Sequence, residues 1–106
     1  MTGKHSVYVV ELEEAVMEHR KFREANPSPN PSLPSVYVGM TGLTPEQRFA
    51  NHKAGRKANG YVHRYGLHLL PDLYSHLNPL TFDAAETMEQ KLAAQLRTLG
   101  YAVWQA

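Results

Sequence analysis

Residues 35–55, SVYVGMTGLTPEQRFANHKAG, constrain the fold of this chain more than any other segment. Three of their first four residues are β-branched or aromatic, which is typical of a strand. Gly39 and Gly42 follow, and glycine adopts turn conformations that other residues avoid. The segment therefore predicts a strand that ends in a glycine turn.

A helix start follows the turn directly. Thr44 is a preferred N-cap residue, Pro45 suits the first helical position, and Gln47 is placed to complete a capping box. Gly55 is typical of the position just after a helix. We therefore predict a helix that runs to about Ala54.

The rest of the chain offers weaker signals around one long helix. Residues 5–12 and 67–70 predict strands, residues 57–65 a short helix, and residues 101–104 a final edge strand. Residues 13–26 predict either a short helix or a solvated excursion, and the prolines of residues 26–34 require a loop. The long helix is predicted from Asp83, with Glu86 completing a second capping box, to Leu99 before Gly100.

The length of 106 residues predicts one domain, and the 42% hydrophobic fraction is that of a globular protein. The chain has no cysteine, so disulfides and thiolate chemistry are excluded. We expect no membrane association and a cytoplasmic location, because no apolar run is long enough for a signal peptide or a membrane span. A net charge of +1 means that any nucleic-acid affinity must come from a local basic patch.

One carboxylate interrupts the apolar stripe of the long helix. At about 100° per residue, Glu89 falls within the arc formed by five apolar residues, Ala85, Met88, Leu92, Leu96 and Leu99. A buried carboxylate costs several kcal/mol unless it is paired, hydrogen-bonded or bound to a metal. Glu89 is therefore either a functional group or a glutamate that is half-exposed or paired with an arginine.

Two further pairs are candidates for phosphate chemistry. Arg48 and His52 are four residues apart, so they lie on one helix face, although such a pair can equally be a solvated surface. Tyr8 and Tyr37 occupy equivalent positions in two SVYV segments, and antiparallel pairing would place both hydroxyls on one sheet face. Core packing is the alternative for the tyrosines.

Basic and aromatic residues alternate after the helix that ends at about Ala54. They could bind a nucleic acid or form an ordinary polar surface: Arg56, Lys57, Tyr61, His63, Arg64 and Tyr65.

The order of these motifs resembles the GIY-YIG nuclease superfamily across nearly the whole chain. The matching blocks are Ser6-Val7-Tyr8, Tyr37-Val38-Gly39 followed by Met40-Thr41, Arg48-x-x-x-His52, and Ala85-x-x-Met88-Glu89-x-x-Leu92. The resemblance implies an α/β (α+β) domain over residues 1–106, with a central three-stranded antiparallel sheet flanked by helices. It also implies an insert at about residues 13–34, which we expect to add a surface element.

The resemblance also implies hydrolysis of DNA with one divalent metal ion, Mg²⁺ or Mn²⁺. It assigns Tyr8 to deprotonating or orienting the attacking water, Tyr37 to lining the site, and Arg48 to holding the scissile phosphate. His52 would assist proton transfer, and Glu89 would bind the metal. The predicted nucleic-acid contacts are Gly39, Thr41, Lys53, Arg56, Lys57 and Arg64. Many members carry an asparagine after the last helix, where this chain offers only Gln105.

The sequence thus predicts a metal-dependent endonuclease. Selectivity would be for DNA structure, or would come from a partner protein, because the chain has no appended DNA-binding domain. The alternatives are a catalytically inactive nucleic-acid-binding module with the same fold and, third, a protein-interaction module built on the insert.

Overall fold

A computed structural model describes residues 3–106 as one sheet with helices on both faces. The strands are β1 (Ser6–Leu12), β2 (Ser35–Thr41), β3 (Gly66–Leu69) and β4 (Ala102–Gln105). The helices are α1 (Arg20–Ala25), α2 (Pro45–Ala54), α3 (Gly60–Tyr65) and α4 (Phe82–Leu99), with short 3₁₀ turns at Glu14–Glu18, Pro71–Leu73 and Ser75–Leu77. Among the helices of this described part, none combines the length and apolar character needed to cross a bilayer.

The sheet has four strands in the order β3-β1-β2-β4, so the prediction of three antiparallel strands is wrong. β1 pairs antiparallel with β2 and β3, whereas β4 pairs parallel with β2. The extra strand forms because α4 ends at Gly100, whose φ of 108° reverses the chain and returns it along β2. The predicted edge strand at the end of the chain is confirmed, one residue later than expected.

The two faces of the sheet carry different side chains and different helices. One face, here called the tyrosine face, carries Tyr8 and Tyr37 and is covered by the helices that supply Phe22, His52 and Tyr61. The other face, the valine face, carries fully buried valines. Gln105 pairs with Val38 on this second face and contacts α4, so α4 covers the valine face.

The insert lies largely at the surface, but it also contributes buried side chains to the core. Val16 and Phe22 are fully buried, and the Phe22 ring stacks on Trp104 of β4. The Asn26 side chain accepts from the Val103 backbone N–H at 2.7 Å and donates to the Val103 carbonyl at 3.0 Å. The insert therefore occupies the outer edge of β4.

The helix ends confirm one predicted cap and correct the other. Thr44 and Gln47 form the expected capping box of α2, and Gly55 ends that helix with a φ of 81°. The N-cap of α4 is Thr81 rather than Asp83, because the Thr81 hydroxyl accepts from the Ala84 backbone N–H. A threonine with extended backbone geometry can cap in this way, and Asp83 instead places its negative charge in the first turn.

We predict that Asn26→Ala lowers the free energy of unfolding by about 1 to 3 kcal/mol, because it leaves the buried Val103 backbone N–H without a partner, whereas the Val103 carbonyl still accepts from Arg97. Asn30→Ala is the matched control, because the Asn30 side chain makes its hydrogen bonds to Ser32 at an exposed loop. Urea unfolding followed by circular dichroism measures both effects. Equal losses in the two variants would show that the Asn26 contact does not hold the edge.

Candidate active site

Tyr8 lies across β2 because its cross-strand partner, Gly39, has no side chain. The register pairs Tyr8 with Gly39, and a Cβ atom at Gly39 would lie 2.7 Å from the Tyr8 hydroxyl oxygen. Tyr37 precedes Gly39 by two residues and therefore lies on the same face, with its ring centroid 6.1 Å from that of Tyr8. The structure thus confirms that both tyrosines share one face.

His52 is fully buried and packs against both tyrosine rings. Its Nε2 atom lies 2.8 Å from the Tyr8 hydroxyl oxygen, and the Asn59 backbone N–H donates to its Nδ1 atom at 3.1 Å. Nδ1 must therefore be unprotonated, which leaves Nε2–H as the donor to Tyr8 in the neutral ring. The Tyr8 hydroxyl accepts from His52, so its own proton is directed to an acceptor other than His52.

Burial keeps these groups uncharged at neutral pH. Burial, with a smaller contribution from the Arg48 charge, lowers the pKa of His52 to about 4. Burial also raises the pKa of Tyr8 far above its ordinary value, Tyr37 adds to this, and Arg48 opposes it. The hydrogen bond between Tyr8 and His52 is consequently one between two neutral groups.

Arg48 anchors the segment that follows α2. Its guanidinium donates to the carbonyl oxygens of Arg56 at 3.3 Å and Lys57 at 2.8 Å. Burial lowers the pKa of His52 and raises the pKa of both tyrosines. The Arg48 charge adds to the first effect and opposes the second, so Arg48 lies in the same site. The pair of Arg48 and His52 is therefore not a simple solvated face, because one member is buried and the other is hydrogen-bonded.

A shallow open groove adjoins this cluster and carries three positive charges. Its lining residues are Thr41, Leu43, Arg48, Asn51, Arg56 and Lys57. The predicted contact residues Thr41, Arg56 and Lys57 are thus brought together beside Arg48. Arginine and lysine on one wall of an open groove suit the phosphates of a nucleic acid.

The other two predicted basic contacts do not line this groove. Lys53 donates to the carbonyl oxygens of His63 and Gly66 at the end of α3, where a positive charge complements the helix dipole. The guanidinium carbon of Arg64 lies over the Tyr65 ring, 5.1 Å from the ring centroid. The predicted basic surface is therefore divided between two places in the fold.

Glu89 is buried, as its position in the apolar stripe predicts, with 7% of its surface exposed. Its Oε1 atom accepts from the Gln105 side-chain amide at 3.1 Å. Burial raises the pKa of Glu89, the Gln105 hydrogen bond opposes this rise, and the nearby Glu86 charge adds to it. Among residues 3–106 its polar partner is this neutral amide, so the alternative of an ion pair with an arginine is not found.

Glu89 approaches the tyrosines from the opposite side of the sheet. The pairing of β4 with β2 ends at Val38, so the stretch of β2 from Gly39 onward has no strand beside it on that edge. The pKa of Tyr37 is raised chiefly by burial, opposed by Tyr8, and raised further by the Glu89 charge. The carboxylate therefore lies within electrostatic range of Tyr37 although α4 covers the valine face.

A single carboxylate could hold a divalent ion only together with water and substrate oxygens. Between residues 3 and 106 there is no group of three His, Asp or Glu side chains that could hold a metal ion. Mg²⁺ and Mn²⁺ favour oxygen ligands, and Mg²⁺ keeps several waters and binds through one or two carboxylates plus substrate phosphates. Glu89 would be the protein ligand in such an arrangement.

The sequence did not predict two contacts of this site. Gln105 holds Glu89, and its position as the only side-chain amide after α4 is the signal that could have identified it. Asn59 fixes the tautomer of His52 through its backbone N–H, which no side-chain pattern reveals, while its side chain caps α3.

Comparison with known proteins gives no relative: no family model, no curated protein and no solved structure matches this chain.

We predict that Gly39→Ala lowers the free energy of unfolding by about 1 to 3 kcal/mol, because the new methyl group overlaps the Tyr8 ring. Gly60→Ala is the matched control, since an added Cβ there meets no atom within 4 Å. Thermal unfolding of the two variants measures the difference. A Gly39→Ala protein as stable as the Gly60→Ala protein would contradict the close approach of Tyr8.

We also predict that His52 stays neutral until about pH 4, well below the ordinary histidine pKa of about 6.5. As pH falls from about 6.5 to about 4, the unfolded chain binds a proton at His52 that the folded chain does not bind. The free energy of unfolding therefore decreases as pH falls through this range. Nitrogen-15 NMR of the imidazole ring, with free imidazole as an internal reference, measures the titration and the tautomer. A midpoint near that of free histidine, or a protonated Nδ1 in the neutral ring, would contradict the hydrogen-bond assignment.

Proposed function

We propose that this protein is a metal-dependent endonuclease of the GIY-YIG type that hydrolyses DNA phosphodiester bonds. The observation that carries the proposal is the hydrogen bond between Tyr8 and His52, two residues 44 positions apart that meet inside the fold. Burial lowers the pKa of His52, and the Arg48 charge lowers it further. Burial raises the pKa of Tyr37, and the Glu89 charge raises it further, so both charges act on this cluster. Groups able to bind a phosphate and a proton thus meet on the tyrosine face, and a carboxylate able to bind a hard cation lies within electrostatic range of Tyr37.

Tyr8 is best suited to orient rather than to deprotonate the attacking water. A general base works best with a pKa near the operating pH, whereas burial raises the pKa of Tyr8 further above neutral pH. His52 fixes the position of the phenol oxygen, so the free phenol proton can be donated to the water or to a phosphate oxygen. In this role Tyr8 positions the nucleophile, and His52 positions Tyr8.

Arg48 and Glu89 supply the charges that phosphodiester hydrolysis requires. The Arg48 guanidinium neutralises negative charge that develops on the phosphate. A Mg²⁺ or Mn²⁺ ion bound at Glu89 would act as a Lewis acid on the phosphate and stabilise the leaving oxygen. Gln105 keeps the Glu89 carboxylate oriented through its hydrogen bond, as outer-sphere partners of metal ligands commonly do.

The basic groove beside the site would hold the DNA backbone on either side of the scissile bond. Its three cations contact phosphates, which carry no sequence information. Such contacts support selectivity for DNA structure, or for sites chosen by a partner protein, over selectivity for sequence.

One observation favours a second candidate, a nucleic-acid-binding module without turnover. Arg48 already donates two hydrogen bonds to backbone carbonyls, so it shapes the groove even if it never contacts a transition state. In that case the groove would bind DNA and the cluster at Tyr8 would be structural.

We predict that purified protein with Mg²⁺ or Mn²⁺ cuts DNA and that Glu89→Gln lowers the rate at least about 100-fold, because the amide cannot replace a metal-binding carboxylate. Glu86→Gln is the matched control, since Glu86 is an exposed carboxylate on the same helix. Labelled linear, flapped, forked and four-way DNA substrates measure the rates and the preferred structure.

The same assay separates the two candidates. Salt-dependent DNA binding that persists in Glu89→Gln, with no cutting by either protein, would establish the binding module instead. Equal cutting by the wild type and Glu89→Gln would contradict the role of Glu89.

A further inference from the structure

An exposed aromatic pair lies at the start of α4. Phe82 is the first residue of the helix, and 53% of its surface is exposed. The His5 ring packs edge-on against it, with 5.3 Å between centroids and an interplanar angle of 85°. Backbone hydrogen bonds between His5 and Leu80 in both directions hold the two segments together. The pair is therefore fixed in position while the phenyl ring remains accessible.

The aromatic pair is continuous with the basic groove. The His5 ring lies against Gly42, where an added Cβ would be 3.4 Å from its Nε2 atom. The two neighbours of Gly42 in the chain, Thr41 and Leu43, line the groove. A strand held by the cations of the groove would thus pass within reach of Phe82.

Phe82 and Glu89 are seven residues apart on α4 and so lie on the same helix face. At 1.5 Å per residue, their Cα atoms are separated by about 10 Å along the helix axis. Paired DNA beside an unpaired base advances about 3.4 Å per nucleotide, so this distance corresponds to about three nucleotides of the flanking duplex. Phe82 is therefore placed to meet a base close to the bond that Glu89 would help to cut.

We propose that Phe82 stacks on an unpaired nucleobase and that the substrate class is DNA with unpaired nucleotides beside the cleavage site. This proposal rests on the endonuclease function proposed above. Base stacking on an aromatic side chain requires a base that has left the duplex stack, whereas the cations of the groove serve paired and unpaired strands alike. The adjoining positive charge favours a nucleic-acid strand as the occupant of this surface.

The test is fluorescence anisotropy of labelled oligonucleotides with the full chain, in EDTA so that no cutting occurs. Each protein is titrated with a blunt duplex and with the same duplex carrying a single-stranded flap. Phe82→Ala removes the stacking surface, and Phe82→Trp keeps an aromatic face. Leu99→Ala is the control, because Leu99 is a 66% exposed apolar residue at the other end of α4.

We expect the wild type and Phe82→Trp to bind the flapped DNA at least about fivefold more tightly than the duplex, and Phe82→Ala to lose that preference while its duplex affinity stays within about twofold. Leu99→Ala should keep the preference. Equal weakening of both DNAs in Phe82→Ala, or no preference in the wild type, would overturn the stacking proposal. The endonuclease proposal would then still stand if the wild type cuts DNA in Mg²⁺, whereas a wild type that neither binds nor cuts DNA would overturn both.

Discussion

The site depends on the close approach of the Tyr8 ring to the backbone of β2 at Gly39. That approach is possible only where β2 lacks a Cβ atom, and it brings the phenol oxygen within hydrogen-bonding distance of His52. His52 in turn keeps one tautomer because the Asn59 N–H occupies its other nitrogen. A single glycine in a central strand therefore permits the position from which Tyr8 reaches the buried His52.

The sheet that carries this site is closed at its margins by two asparagine side chains. Asn26 exchanges two hydrogen bonds with the backbone of Val103, and Asn78 does the same with the backbone of Val7. Each amide thus replaces a neighbouring strand at a position where none pairs. Such pairing satisfies backbone groups at the edges of the sheet, and it leaves no open strand edge at these positions. The insert that contributes Asn26 is consequently part of the framework of the site.

Patterns that depend on local geometry were predictable from the sequence. Strand alternation placed Tyr8 and Tyr37 on one face, helical periodicity placed Glu89 in a buried stripe, and the residues around Thr44 located the start of α2. The fold class of a sheet flanked by helices was also correct, although the resemblance implied three strands and the sheet has four. The helical stripe and the cap depend on residues close together in the chain, and the shared face of the tyrosines follows from the two SVYV segments.

The remaining features depend on contacts between residues far apart in the chain. The parallel strand β4 pairs with a strand more than 60 positions earlier in the chain, and Phe22 stacks on Trp104, more than 80 positions later. The contact between Gln105 and Glu89 likewise exists only in the folded chain. Lys53 resembled a DNA-contacting residue by its charge, but its ammonium group binds carbonyls at the end of α3.

The central claim is that Tyr8 and His52 act as one unit in DNA cleavage, and a double-mutant cycle on the single-turnover cleavage rate tests it most directly. The substitutions are Tyr8→Phe, which removes the hydroxyl, and His52→Gln, which replaces the ring that positions it. If the two residues act as a unit, the double variant is about as slow as the slower single variant, because either change removes the same function. Losses that multiply in the double variant, or single variants that cut as fast as the wild type, would contradict this account.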